Sequence, residues 1–193
     1  MITHLRGRLV ERNPTHLIVE CHGVGYFVNI SLHTFSRVRE QEDILIHTHL
    51  LVKEDSQTLY GFLEPSEREV FRLLISVSGV GASIARTVLS SLSPTEVREA
   101  ILHGDVPTIQ GIKGIGAKTA QRLILDLKDK ILKVETAGEL SPRSNNTNKE
   151  EALSALEVLG FPRKQSEKVV ERVLSGNLSL SVEDIIKQAL KNL

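Results

Sequence analysis

A single cysteine, Cys21, stands in 193 residues, so the chain forms no disulfide within itself and fits a reducing compartment. Tryptophan is absent and aromatic residues make up only 4%. The cores must therefore be built from Leu, Ile and Val, and stacking of bases on an aromatic platform is excluded as the main way of holding nucleic acid. No apolar run approaches the ~18 residues of a membrane span. The opening MITHLRGR breaks its apolar residues with charge before a signal-like core develops. A cytoplasmic chain with no membrane partner is expected. Net charge is missing too, 24 basic residues against 24 acidic, so bulk electrostatics names no polyanionic partner. Finally, there is no G-x-G-x-x-G. Residues 111–119, GIKGIGAKT, imitate a phosphate-binding P-loop, but the lysine comes one position late and no suitable strand precedes it. No nucleotide site and no cofactor are expected.

What the chain does have falls into segments. Residues 1–63 alternate as strands over Leu5–Arg12, Thr15–His22, Val24–Ser31, Asp43–Lys53 and Thr58–Leu63. Five short strands without a long helix predict a small barrel of the OB-fold type. His47 and His49 share a strand face, but no third ligand keeps spacing with them, and a solvated barrel face is expected rather than a metal site. Residues 64–135 switch to helical period, with capping boxes predicted at Ser66–Glu69 and Ser93–Glu96. Residues 136–147 are polar and rich in Gly, Ser, Pro and Asn, as in a flexible linker. Residues 148–193 form apolar helical sets with caps expected at Thr147–Glu150 and Ser181–Asp184, predicting a three-helix bundle that docks onto a partner.

The most informative feature is a repeat at an offset of 35, in which SGVGASIA (78–85) recurs as KGIGAKTA (113–120). Two glycines around an apolar residue allow a tight turn, and Val80 or Ile115 anchors that turn in the core. The following helix begins with unpaired amides at its positive end, an anion site suited to phosphate. This pattern resembles the helix-hairpin-helix family. The candidate DNA contacts are Gly79, Val80, Gly81 and Ser83 in the first copy, and Gly114, Ile115, Gly116, Lys118, Thr119 and Arg122 in the second. Local charge agrees: residues 112–133 carry six basic side chains, Lys113, Lys118, Arg122, Lys128, Lys130 and Lys133, against Asp126 and Asp129. Such a hairpin grips backbone and reads no bases. An enzyme built on these hairpins would carry a Gly/Pro-rich loop ending in a catalytic Asp. The chain instead runs LKDKILK (127–133), with no poised acid, base or nucleophile.

The order of barrel, tandem hairpins, linker and three-helix tail resembles the RuvA family. The stretches that carry the likeness are VGY (24–26), EDSQTLYGF (54–62), GVG (79–81), GIGAKTAQRL (114–123) and ALSALEVLGF (152–161). The resemblance implies a multi-domain α+β chain with a UBA-like tail. It also implies a homotetramer, or two tetramers enclosing the DNA as an octamer, that holds a four-way Holliday junction open. The implied partners are the RuvB hexameric ATPase, which drives branch migration in recombination and SOS-linked repair, and the RuvC resolvase. Glu54 and Asp55 become an acidic pin at the crossover. Leu156, Leu159, Gly160 and Phe161 become the contact with RuvB. Ser83 and Ala117 depart from the family, standing where relatives often carry lysine. Two rival readings remain: a DNA-repair enzyme, and an interaction protein whose hairpins are merely packing units.

Overall fold

The computed structural model describes residues 1–39, 43–132, 145–176 and 180–193. Its strands are β1 (His4–Asn13), β2 (His16–Cys21), β3 (Val24–Ile30), β4 (Asp43–Val52) and β5 (Gln57–Phe62). They close into a barrel in the order β1-β2-β3-β5-β4, with β4 pairing back to β1 and β3 lying parallel to β5. Leu17, Val19, Val28, Ile30, Ile44 and Ile46 fill the interior. A one-residue slip in register would turn such a set out to water. At Gly61 a Cβ would come within 2.5 Å of Val28 Cγ1, so the barrel has no room for a side chain there. The OB-fold expectation is met, with one element the strand pattern did not reveal. Helix α1 (Leu32–Arg37) joins β3 to β4, capped by Ser31 Oγ, which accepts the Thr34 N–H at 3.0 Å.

Helices α2 (Pro65–Ile75), α3 (Ala82–Ser91), α4 (Pro94–His103), α5 (Val106–Gln110) and α6 (Ala117–Ile131) follow. The box predicted at Ser93–Glu96 is complete: Ser93 Oγ accepts the Glu96 N–H at 3.2 Å and Glu96 accepts the Ser93 N–H at 2.7 Å. The box predicted at Ser66–Glu69 is not formed. Pro65 occupies the first helical position and draws the start of α2 back, making Glu64 the cap, while Glu69 pairs with Arg72 at 2.7 Å. Barrel and helices meet around Phe71, whose ring lies 5.0 Å from those of Tyr60 and Phe62 and 5.6 Å from that of His49. Met1–Glu139 forms one compact unit and Leu140–Leu193 a second.

His47 and His49 are half-buried, not on an open face as expected, and the His49 ring lies 5.6 Å from that of Phe71 in α2. Burial comes first in holding both imidazoles below their usual 6.5, followed by the charges of Arg68 and His4 on His47 and of Arg72 and Arg68 on His49. A base depressed in the folded state contributes stability that is present above its unfolded pKa and lost as pH falls through the folded value. The unfolding midpoint should therefore drop on acidification below about pH 6.5, and the His47→Asn, His49→Gln variant should show a shallower drop. Equal slopes for the variant and the parent in thermal melts would contradict this.

In the second unit, α7 (Asn145–Val158), α8 (Arg163–Gly176) and α9 (Val182–Leu190) pack Ala152, Leu153, Leu156, Val169, Val170, Ile185 and Ala189 into one core. Helix α7 starts at Asn145, before the cap expected at Thr147, whereas Ser181 caps α9 as predicted, accepting the Asp184 N–H at 3.2 Å. The expected linker lies outside the described residues as far as residue 144.

Candidate nucleic-acid interface

The sequence repeat is a repeat of backbone geometry. In the first copy, α2 ends as Ser76 N–H donates to Arg72 O, Val77 N–H to Leu74 O and Val80 N–H to Val77 O. In the second, Gly111 donates to Pro107, Ile112 to Ile109 and Ile115 to Ile112, each shifted by 35 residues. Gly79 and Gly114 hold left-handed φ of +91° and +95°, which ordinary residues adopt only with strain. Val80 and Ile115 then turn inward, 4% and 5% exposed, and Ala85 and Ala120 are fully buried where the helices approach.

Gly81 and Gly116 serve a different end. Both have ordinary extended backbone, with φ of −82° and −85°, and a Cβ added at either would meet nothing within 4 Å. Among the described residues nothing requires glycine at these two caps. Neither cap supplies a side-chain hydrogen bond, so the first amides of α3 and α6 face outward at the positive end of the helix. A bare cap with clear space before it admits a phosphate oxygen to those amides.

The two turns differ in charge. Around the second, Lys113, Lys118 and Arg122 are exposed, Thr119 is half-buried, and Arg122 lies 3.5 Å from Asp126 one turn along. Around the first, Ser83 is exposed and neutral, while Arg86 is drawn away, donating to Asn29 Oδ1 of the barrel at 2.9 Å. That tether gave no signal in the sequence, since Asn29 and Arg86 are 57 positions apart.

Glu54 and Asp55 sit at the tip of the β4–β5 hairpin, both exposed, in a turn closed by Lys53 N–H donating to Ser56 O at 2.8 Å. In the second unit Leu156 is fully buried, whereas Leu159 is 58% exposed and Phe161 packs partly into the core. Gly160, at φ +96°, closes α7: Phe161 N–H returns to Leu156 O and Gly160 N–H to Glu157 O, the bonds of a Schellman stop. Among the described residues no three His, Cys, Asp or Glu side chains gather as a metal would need, and no helix is long and apolar enough to cross a membrane.

An OB-type barrel bearing two bare-capped glycine turns defines a tandem helix-hairpin-helix protein. Comparison with known proteins places it more closely. Residues 1–61 match the RuvA N terminal domain, residues 71–129 the SAM-like helix-hairpin-helix tandem, and residues 147–193 the RuvA C-terminal domain. Proteins named Holliday junction branch migration complex subunit RuvA are similar over the full length of both chains, at 63% identity in Christiangramia forsetii and 58% in Flavobacterium psychrophilum. Another so named, from Bacteroides thetaiotaomicron, is 42% identical, again over the whole of both chains. The chain belongs to the RuvA family.

Proposed function

We propose that this chain is a non-catalytic subunit that binds four-way junction DNA by its phosphates, holds the junction open as a homotetramer, and brings RuvB to it for branch migration in the cytoplasm. The observation that carries the reading is the pair of bare glycine caps, Gly81 and Gly116, in turns whose hydrogen bonds repeat residue for residue. Backbone amides grip phosphate whatever the base, so binding depends on junction shape and on salt. The test is a titration of one junction shape in several base sequences over a range of salt. Affinity should be similar across sequences, with log K falling by about 0.9 per phosphate neutralised for each decade of salt. Lys118→Gln and Arg122→Gln should each flatten that slope by about 0.9 for every subunit whose side chain meets a phosphate, up to about 4 in a tetramer, and Ser83→Gln should leave it unchanged. Strong dependence on base sequence at fixed shape would overturn the reading.

Glu54 and Asp55 serve in this reading as a pin. Four copies around a central opening set carboxylates within about a Debye length, ~8–10 Å, of the crossing strands. Repulsion there keeps the strands apart at some cost in binding. Glu54→Gln with Asp55→Asn should bind DNA as tightly as the parent or more so, while preferring junction over duplex less strongly. Paired titrations of junction and duplex at one salt concentration decide it. A variant that still forms tetramers but loses junction affinity would mean that these residues hold DNA.

The second unit serves as the contact with RuvB. Leu159 and Phe161 offer the surface, Leu156 supports it from within, and Gly160 sets the turn that presents it. RuvC is the further partner expected on the same DNA. A nuclease reading predicts strand cutting by the chain alone with magnesium, which this proposal does not.

A further inference from the structure

Glu67 lies in the first turn of α2, outside both turns that face DNA, and is only 1% exposed. Its carboxylate accepts a hydrogen bond from Ser31 Oγ at 2.6 Å, and Thr34 Oγ1 lies 2.9 and 2.8 Å from its two oxygens. Ser31 Oγ also accepts the Thr34 N–H, so one hydroxyl both caps α1 and reaches α2. Other bonds cross the same joint. Leu32 N–H donates to Ser90 Oγ of α3 at 3.1 Å, Arg86 reaches Asn29, and Arg37 pairs with Glu64. Each ties barrel residues 29–37 to α2, α3 or the residue that caps α2, which together build the first hairpin.

Apolar contact around Phe71 also joins the two parts, but such contact is non-directional and tolerates sliding. A buried carboxylate does not. A shift of α2 against α1 would strip its donors and leave a buried carboxyl, whose pKa burial already raises, without hydrogen-bond partners, a costly defect whether the group is charged or neutral. Satisfied polar networks of this kind favour one arrangement over its near neighbours.

We propose that Ser31, Thr34 and Glu67 form a positioning clamp that sets the angle of the first hairpin on the barrel, and with it the spacing between the phosphate-binding turns and the Glu54–Asp55 loop. The clamp's effect on DNA selection rests on the junction-binding reading above; its effect on geometry does not. The full-length chain is labelled with spin probes at Val24→Cys and Thr95→Cys in a Cys21→Ser background and diluted into unlabelled chain, so that distances within one chain are read. Glu67→Leu alone strands two hydroxyls and risks unfolding, so it is combined with Thr34→Val, which removes one of them and leaves only the Ser31 hydroxyl, still accepting the residue 34 N–H, without its acceptor; thermal melts check that the pair is folded.

This pair should broaden or shift the distance distribution and lower the junction-over-duplex preference about tenfold, because small displacements of binding groups cost affinity steeply. Glu67→Gln should restore both. Its Oε1 accepts from the hydroxyls while its Nε2 donates to Thr34 Oγ1. Parental distances in the apolar pair would overturn the clamp, as would a Gln variant that behaves like the apolar pair. Shifted distances with unchanged junction preference would overturn its role in DNA selection. A parent chain with no preference for junctions would sink the junction reading instead, leaving the distances to decide the clamp.

Discussion

Aspartate placed at both Gly81 and Gly116 should make the protein more stable and nearly unable to bind a junction. Both glycines have the extended backbone of a helix cap, and open space surrounds the Cβ each would gain. Aspartate there can accept the helix amide that glycine leaves free, and its charge suits the positive end of the helix, a gain of a few tenths of a kcal/mol at each cap. The same carboxylate occupies the amides meant for phosphate and repels it. Over the turns of an assembly, junction affinity should fall by at least about 100-fold. Two residues earlier the outcome reverses in kind. Gly79→Ala and Gly114→Ala force an ordinary residue to φ of +91° or +95°, and each should cost about 1 kcal/mol of stability. Thermal melts and junction titrations on the four single variants and the Asp pair separate glycines needed for folding from glycines needed for binding. Retained affinity in a folded Gly81→Asp, Gly116→Asp protein would show that these caps do not meet phosphate.

The second large effect is expected on removing residues 145–193. Stimulation of the RuvB motor should vanish, while tetramer formation and junction affinity stay near those of the full chain. The cut is placed before Asn145 because α7 begins there, and a cut at 148 would leave a helical stub. Met1–Glu139 is compact by itself and holds both hairpins, and the tail keeps a core of its own in Leu153, Leu156, Val170 and Ile185. Loss of junction binding in the shortened chain would mean that the tail takes part in DNA contact. Within the tail, Leu159→Glu should lower RuvB stimulation with little change in stability. Leu156→Glu should unfold the bundle, because a charge at a fully buried site has no partner.

The local chemistry was legible in the sequence because it depends on near neighbours. Strand alternation exposed the barrel, and the repeat at an offset of 35 exposed both turns, since a left-handed glycine, an apolar anchor and a close-packed alanine sit within eight residues. The box at Ser93–Glu96 and the cap at Ser181 are local in the same way. Ser66–Glu69 forms no box for an equally local reason, the pre-set φ of Pro65, which starts α2 ahead of Ser66. Helix α1 went unseen because six residues carry too little periodicity to register beside the strands around it.

Only the tertiary structure separated residues that look alike as letters. Gly79 and Gly81 differ in backbone conformation, Leu156 and Leu159 differ in burial, and His47 and His49 are half-covered where strand alternation alone predicts an open face. The barrel's closure through β1 with β4 and β3 with β5, and the meeting of Ser31 with Glu67, join positions tens of residues apart. No local pattern encodes such meetings. They follow from how completed strands and helices pack, where burying Phe71 and satisfying a carboxylate at one joint admit one arrangement of barrel and hairpin.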